Sequence, residues 1–258
     1  MYKNIQSIPA LLARCVAVVS VLVAAGCAYN ETLGRNQLLF VSQGQMAQLA
    51  SGAWTDLKKT EKISTDPKYV NRVRRVAPKI IQAAGGNPAE WEVQVFQSDQ
   101  LNAFALPGGK IGFYTGILDL MENDAQIAAV MGHEVAHVNF NHSGERYSQT
   151  AAAQTALGAG SAVVGGSQTG AAAMQALGLG AQVGLLLPFS RKHELEADKF
   201  GVRYMARAGY DPNEAVRFWE KMSAKKDGAP PEFLSTHPSD ATRIAQLKRE
   251  IQLLNSGS

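Results

Sequence analysis

Two histidines four residues apart, with a glutamate beside the first, are the side chains in this sequence best suited to chemistry. They are His133, Glu134 and His137, in the run HEVAH. On a helix, side chains four apart share one face, so both imidazoles can reach one metal ion. Glu134 lies about 100° round the helix from His133, at roughly 3.6 residues per turn. That offset favours a general base acting on water at the metal over a further ligand.

The residues around this run favour a helix. Asn123 and Gln126 resemble a capping box at its start, and turn-forming residues occupy positions 139–144. Ala129 and Ala136 are small enough for a second helix to approach closely. An apolar stripe on the face away from the histidines consists of Ile127, Met131, Val135 and Val138. The competing interpretation is an amphipathic helix with two polar, partly exposed histidines.

A third ligand would decide between these interpretations, because hydrolytic zinc sites usually combine three protein ligands with one position for water. Downstream, Ser190 is typical of an N-cap, and Glu194 and Asp198 share a face of the helix that follows. Ala197 and Gly201 border that face and allow close packing. We predict that Glu194 ligates the metal and that Asp198 accepts a hydrogen bond from the outer nitrogen of a ligand histidine.

Alternatives to Glu194 as the ligand are an ordinary surface role for this residue and ligation by Glu196 instead. Glu194 is preferred because it lies on the stripe of small residues, whereas Glu196 points away from that stripe. His142 comes five residues after His137, about 140° round a continuous helix. It is therefore not predicted to be a ligand, and neither is His193.

The order of these motifs resembles the HtpX and CaaX-prenyl-protease type of gluzincin metallopeptidases. The run NAFALPGG at 102–109 and the run THP at 236–238 match the same pattern. The resemblance covers roughly residues 35–250 and is greatest for small, lipoprotein-like bacterial members, close to the mitochondrial inner-membrane quality-control peptidase. It implies an α+β, mainly helical, zincin-like fold with a small antiparallel sheet beside the HExxH helix, and one Zn²⁺ per chain.

The resemblance also implies catalytic roles for two residues near the C-terminus. His237 would come near the zinc, either as an oxyanion stabiliser or as an occupant of the open zinc position that holds the enzyme inactive. Arg243, six residues later, would face the cleft. The structural alternatives are a helix-capping role for His237 before Pro238 and a solvated surface position for Arg243.

The substrate is expected to bind along a strand beside the metal. Residues 102–105 and 110–114 are predicted to pair as a hairpin through a Pro-Gly-Gly turn. In zinc peptidases of this shape an edge strand pairs with an extended peptide. We predict that this edge consists of Gly109, Lys110, Ile111, Gly112 and Phe113. The alternative is an interior strand of a three-stranded sheet.

The N-terminus is typical of a secreted lipoprotein. The apolar run at 16–25 is too short for a membrane span, which needs about twenty residues, but it suits a signal peptide. The run ends in AAGC and resembles a lipobox with Cys27 as the acylated residue, although Ala24 replaces the usual branched aliphatic. The alternative is an incidental cysteine after an ordinary signal sequence. Ala28 at the next position favours the periplasmic face of the outer membrane.

These features predict a signal peptide at 1–26, a tether at 27–36 and a single metallopeptidase domain at 37–258. Loss of Lys3 and Arg14 with the signal peptide would lower the formal charge from +3 to +1, which argues against a nucleic-acid partner.

Residues 147–190 contain no Asp, Glu, Lys, Arg or His. They are rich in Ala, with Gly residues spaced as joints, and are predicted to form a helical lid over the cleft. The alternative is a membrane hairpin. Their Gln, Ser and Thr residues make that alternative unfavourable in lipid.

The predicted function is that of a lipid-anchored zinc endopeptidase acting on unfolded or misassembled envelope proteins. Glu134 would take a proton from the attacking water and pass it to the leaving amine. One alternative is a periplasmic chaperone or assembly factor for outer-membrane proteins, linked to their assembly machinery, with proteolysis secondary or blocked by His237. Another is a membrane-embedded processing protease that uses residues 147–190 as its hairpin.

Overall fold

The chain is mainly helical with small sheets, as predicted. The computed structural model describes residues 27–164, 189–224, 232–237 and 241–256. The predicted signal peptide and much of the predicted lid, at 165–188, lie outside the described residues. The chain divides into two compact units, of which the first includes residues 27–42 and 144–164. The second holds the described residues of 43–143 and 189–256, so the division differs from the single domain predicted at 37–258.

In the first unit, the segment predicted as a tether forms most of a β-hairpin. Strands β1 (Cys27–Asn30) and β2 (Arg35–Leu38) pair antiparallel. The Asn30 side chain accepts a hydrogen bond from the Leu33 amide, and Gly34 adopts a φ of +65° that closes the turn. This local turn chemistry, rather than an apolar alternation, makes the segment a hairpin. Cys27, the predicted lipidation site, is exposed.

The second unit contains a three-stranded mixed sheet. Its strands are β3 (Glu92–Phe96), β4 (Ala103–Leu106) and β5 (Lys110–Tyr114), in the order β3-β5-β4. β4 pairs antiparallel with β5, which confirms the predicted hairpin, and β3 pairs parallel with β5.

The predicted substrate edge, Gly109 to Phe113, is therefore wrong, because β5 is the middle strand. Its outer neighbour β3 pairs with it across a long sequence separation, which a local hairpin pattern does not reveal. Ile111 and Phe113 are fully buried, as a central strand requires. The edge on the hairpin side is β4.

Nine α-helices lie within the described residues, together with a short 3₁₀ helix at Pro88–Glu90. No described helix is both long enough and apolar enough to cross a bilayer. Asn123 and Ser190 are N-caps, as predicted, and accept hydrogen bonds from the Gln126 and His193 amides at 3.0 and 3.2 Å. The helices are α1 (Gln43–Thr60), α2 (Pro67–Ala83), α3 (Thr115–Leu120), α4 (Asp124–Asn139), α5 (His142–Val164), α6 (Arg191–Arg207), α7 (Asn213–Ala224), α8 (Glu232–Thr236) and α9 (Ala241–Asn255).

Helix α4 carries the HExxH run through the centre of the second unit. It packs against α6, α2, α7 and β4, and every residue from Gln126 to His137 is buried. His133 and His137 are only 1% and 2% exposed to solvent, so the interpretation as partly exposed histidines is wrong. A helix buried on all sides can place polar side chains only where other polar groups or a metal receive them.

Candidate metal centre

Helices α4 and α6 meet backbone to backbone at Gly132 and Gly201. A Cβ at Gly201 would lie 2.9 Å from the His133 amide nitrogen, and one at Gly132 would lie 2.9 Å from the Gly201 carbonyl oxygen. Ala197 is also fully buried on α6. The sequence pointed to Ala197 and Gly201 at this interface but not to Gly132. This close approach brings the His133 and Glu194 side chains within reach of one point.

Four side chains place metal-binding atoms in one small buried group. They are His133, His137, Glu194 and His237, and their donor atoms all lie within 4.8 Å of one another. The Nε2 atoms of His133 and His137 are 3.1 Å apart, and Glu194 oxygens lie 3.4 Å from each of them. The His237 Nδ1 is 3.2 Å from the His133 Nε2 and 3.1 Å from Glu194 Oε1.

The separations of 3.1–3.4 Å are close to those expected between ligands of one zinc ion. Nitrogen and oxygen ligands about 2.0–2.1 Å from zinc lie about 3.3–3.4 Å from one another in tetrahedral geometry. Two imidazoles and a carboxylate are also among the usual zinc ligands. The donor set therefore fits a zinc ion in both chemistry and spacing.

The protonation of the two histidines on α4 supports this fit. The His133 Nδ1 lies 2.9 Å from Asp198 Oδ1, and an ionised carboxylate only accepts hydrogen bonds. Nδ1 therefore keeps its proton, and Nε2, which faces Glu194 and His137, is the nitrogen from which a metal ion would displace the second proton. Burial lowers the pKa of His137 well below its usual value, which keeps its imidazole in the neutral, ligating form. The converging imidazole nitrogens of His133 and His137 and the Glu194 carboxylate can therefore bind a cation between them.

Two ionised carboxylates dominate the electrostatics around His133. Burial by itself would lower the pKa of His133, but the carboxylates of Glu194 and Asp198 outweigh burial and raise that pKa to about 9. Burial likewise favours the neutral forms of Glu194 and Asp198, yet Arg243 and the neighbouring histidines hold both pKa values below their ordinary range. Both carboxylates are therefore ionised and attract a cation.

Arg243 is buried against the carboxylates of Glu194 and Asp198. It is 1% exposed, and its Nε and Nη2 each donate to Asp198 at 2.7 Å. Its Nη1 lies 2.7 Å from Glu194 Oε2, and the guanidinium carbon lies 4.2 Å from the Trp219 ring centroid. The solvated alternative is therefore wrong, and the cleft-facing role stays a prediction. The physical reason is that two buried carboxylates require a buried cation beside them.

Glu134 stands beside the donor group without joining it. Its Oε2 accepts a hydrogen bond from the Ala105 amide on β4 at 3.0 Å. Its Oε1 is buried and has no hydrogen-bond partner among the described residues, with the His237 Nε2 3.4 Å away. Burial raises the pKa of Glu134, although His237 and His133 oppose the shift. A carboxylate with a raised pKa and one uncommitted oxygen suits a general base.

Aromatic rings enclose the histidines that carry the donor atoms. The Phe189 ring stacks on His137 with centroids 3.9 Å apart, and the Phe233 ring stacks on His237 at 4.5 Å. The Phe189 amide donates to the Thr236 carbonyl at 2.9 Å, which ties the segment before α6 to the end of α8. Rings that exclude water strengthen the electrostatic interactions within the site.

His142 and His193, predicted not to be ligands, lie outside the donor group but are fully buried. The His142 Nδ1 lies 3.0 Å from the Nδ1 of ligand His137. Glu196, the alternative ligand, is not in the donor group, and its Oε2 lies 3.1 Å from the His142 Nε2. The sequence reasoning missed these contacts because it treated α4 as continuing through His142.

We expect Gly201→Ala to lower the free energy of unfolding by about 1–3 kcal/mol, because the new methyl group meets the α4 backbone, which has no rotamer to relax it. The same displacement should weaken metal binding. Gly52→Ala is the control, since a Cβ at Gly52 on α1 has no atom within 4 Å. It should instead stabilise the chain by up to about 1 kcal/mol. Urea unfolding measures the free energy of unfolding of both variants. If Gly201→Ala and Gly52→Ala unfolded at the same urea concentration, the contact between the two backbones would be contradicted.

Comparison with known proteins places this site in context. The family model described as Peptidase family M48 matches residues 67–251. Mitochondrial metalloendopeptidase OMA1 of Schizosaccharomyces pombe is 39% identical over 191 residues, covering 69% of this chain and 54% of that protein. OMA1 of Arabidopsis thaliana is 33% identical, covering 83% of this chain and 43% of that protein.

The beta-barrel assembly-enhancing protease of Escherichia coli K12 is 27% identical, covering 81% of this chain and 44% of that protein. The chain thus spans about half the length of the curated relatives it matches. These relatives are not of the HtpX or CaaX-prenyl-protease type.

Proposed function

The chain belongs to peptidase family M48 and is a metalloprotease, and on that premise we propose that it cleaves unfolded or misassembled proteins at a zinc site with Glu134 as general base. The observation that carries the proposal is the convergence of the His133, His137 and Glu194 donor atoms, which lie 3.1–3.4 Å apart. Beside them lies the Glu134 oxygen that has no hydrogen-bond partner within the described part of the chain.

The roles of the chain's own residues follow from this geometry. His133, His137 and Glu194 would hold the zinc. When bound, zinc supplies Lewis acidity that polarises a carbonyl and lowers the pKa of water at the site to about 7. Glu134 Oε1 accepts the proton of the attacking water and later gives it to the leaving amine. The Ala105 amide holds the other Glu134 oxygen and so fixes the orientation of the carboxylate.

The edge position of β4 suggests where the substrate lies. β4 is the outer strand of the hairpin, and its Ala105 bonds directly to Glu134. An extended peptide that pairs with β4 would bring its scissile carbonyl to the zinc with few side-chain requirements. This suits unfolded proteins of varied sequence as substrates, and it moves the proposed substrate strand from β5 to β4.

The test is metal analysis combined with digestion of unfolded casein. We expect the purified chain to contain about one zinc ion per molecule, as the donor group found among the described residues implies. A chelator should remove both the zinc and the cleavage, and added zinc should restore both. Cleavage that persists in the zinc-free chain would contradict the proposal, as would zinc-loaded chain that never cleaves an unfolded protein.

The position of His237 favours a second candidate function, in which the resting chain holds clients and its proteolysis is blocked. His237 Nδ1 lies within the donor group, and a fourth protein ligand would occupy the place that water needs. We therefore expect His237→Ala to raise kcat/KM for a fluorogenic peptide while zinc content stays unchanged. A fall of about 10²-fold would instead assign His237 to stabilisation of the oxyanion.

The cellular setting is also proposed. The AAGC run and the exposed Cys27 support lipid anchoring at the periplasmic face of the outer membrane. The name of the E. coli relative suggests a link to the outer-membrane assembly machinery. Mass spectrometry of the chain purified from membranes tests acylation, which Cys27→Ala should remove. Detergent-free solubility of the chain without residues 1–27 would exclude the membrane-embedded alternative.

A further inference from the structure

A buried histidine and a carboxylate beyond the ligands contact the outer side of the metal centre. His142, the first residue of α5, has no exposed surface, and its two ring nitrogens face different partners. Nδ1 lies 3.0 Å from His137 Nδ1, and Nε2 lies 3.1 Å from Glu196 Oε2. We propose that His142 and Glu196 position ligand His137 through a relay of polar contacts that fixes its tautomer and ring orientation. This inference rests on the zinc site proposed above.

The direction of the relay follows from its carboxylate end. An ionised carboxylate accepts hydrogen bonds and cannot donate them. The Glu196 carboxylate, 3.1 Å from His142 Nε2, therefore favours a proton on Nε2 over one on Nδ1, which leaves a lone pair on His142 Nδ1. That lone pair accepts the Nδ1 proton of His137, so the Nε2 lone pair of His137 is directed at the donor group. In this way the Glu196 carboxylate determines which ring nitrogen carries the proton in both His142 and His137.

The second carboxylate of the same helix explains why an intermediate histidine is needed. On α6, Asp198 reaches His133 directly at 2.9 Å. Glu196 is two residues earlier, which places it about 200° away round the helix. From that side it cannot reach a ligand histidine directly, and His142 spans the distance. Each histidine ligand on α4 is thus oriented by an acidic residue of α6, one directly and one through a second ring.

The backbone between α4 and α5 is shaped to bring His142 back onto His137. Asn141 has a φ of 51° and is the non-glycine residue with positive φ within the described part of the chain. This left-handed residue ends the path of α4, and without it the fifth residue after His137 would point elsewhere. The His142 ring stacks on His193 with centroids 4.5 Å apart and planes 18° apart, which holds its orientation. The left-handed conformation of Asn141 and the stacking of His193 on His142 thus both support the contact between His142 and His137.

The test measures zinc affinity by chelator competition in Glu196→Gln, His142→Phe and the double variant. The amide of Gln can donate as well as accept, so it no longer imposes the proton order. Phe keeps the stacked ring but removes both polar contacts of the relay. We expect each single variant to bind zinc about 10–100-fold more weakly. The double variant should be no weaker than His142→Phe, because both changes break one relay.

The matched control is Glu250→Gln. Its carboxylate is 13% exposed, against 14% for Glu196, and it pairs with Arg203 at 2.9 Å away from the histidines. It should leave zinc affinity unchanged while altering unfolding to a similar extent. The absorption spectrum of the cobalt-substituted chain gives a second readout, which should change in Glu196→Gln and not in Glu250→Gln.

The possible results distinguish failure of the proposed relay from failure of the proposed zinc site. Wild-type zinc affinity in Glu196→Gln would overturn the relay, and so would additive losses in the double variant. If His142→Phe fails to fold, the comparison of Glu196→Gln with Glu250→Gln still decides. Failure of the wild-type chain to bind zinc would instead overturn the proposed metal site.

Discussion

Glu134→Gln is expected to reduce peptide cleavage by about 10²–10⁴-fold, the usual contribution of a general base. The amide cannot accept the proton of the attacking water. Glu134 lies outside the group of donor atoms, so zinc content should remain unchanged. Gln also keeps an oxygen that can accept the Ala105 hydrogen bond, so β4 should stay in place. Single-turnover cleavage and metal analysis on the same preparation measure both quantities.

The control for this variant is Glu122→Gln. The Glu122 side chain is 66% exposed and pairs with Lys221 at the surface. Its removal should change neither cleavage nor zinc content. Wild-type rates from highly purified Glu134→Gln would remove Glu134 from its assigned role, whereas loss of zinc from that variant would indicate that Glu134 supports the metal.

Arg243→Leu is expected to lower the free energy of unfolding of the zinc-free chain by about 3–5 kcal/mol, the typical effect of removing one partner from a buried ion pair. Glu194 and Asp198 would keep their burial and lose the guanidinium that offsets it. The stacking of the guanidinium on Trp219 would also be lost. Denaturant unfolding in the presence of a chelator measures the change.

Arg203→Leu serves as the comparison, because Arg203 also pairs with a glutamate from α6 to α9 but is 33% exposed. A partly exposed pair contributes about 0–1 kcal/mol. Comparable losses in the two variants would show that Arg243 acts only as a packed side chain. Added zinc should recover part of the stability lost in Arg243→Leu, since the cation compensates the same carboxylates.

The parts of the site that the sequence predicted are the pairs of residues that lie a few positions apart on one helix. His133 and His137, and likewise Glu194 and Asp198, are four apart on single helices, so helical geometry alone places each pair on one face. The small residue Gly201 indicated that the two helices could meet. The N-caps Asn123 and Ser190 were likewise predicted, because a cap involves only its own first turn.

The features that the sequence did not predict depend on distant parts of the chain. The middle position of β5 follows from parallel pairing with β3, which no hairpin pattern contains. The burial of Arg243 follows from two carboxylates on another helix. The role inferred for His142 depends on a left-handed residue at Asn141, which turns the chain out of the helical path used to exclude it.

The meeting of Gly132 and Gly201 has a consequence for how this protein can vary. The separation of the two motif helices is set by main-chain atoms in van der Waals contact. Side chains elsewhere in the interior can therefore be exchanged for others of similar volume without altering the spacing of the donor atoms. Sequence drift in the surrounding interior is compatible with an unchanged metal geometry, provided that these two positions stay without side chains.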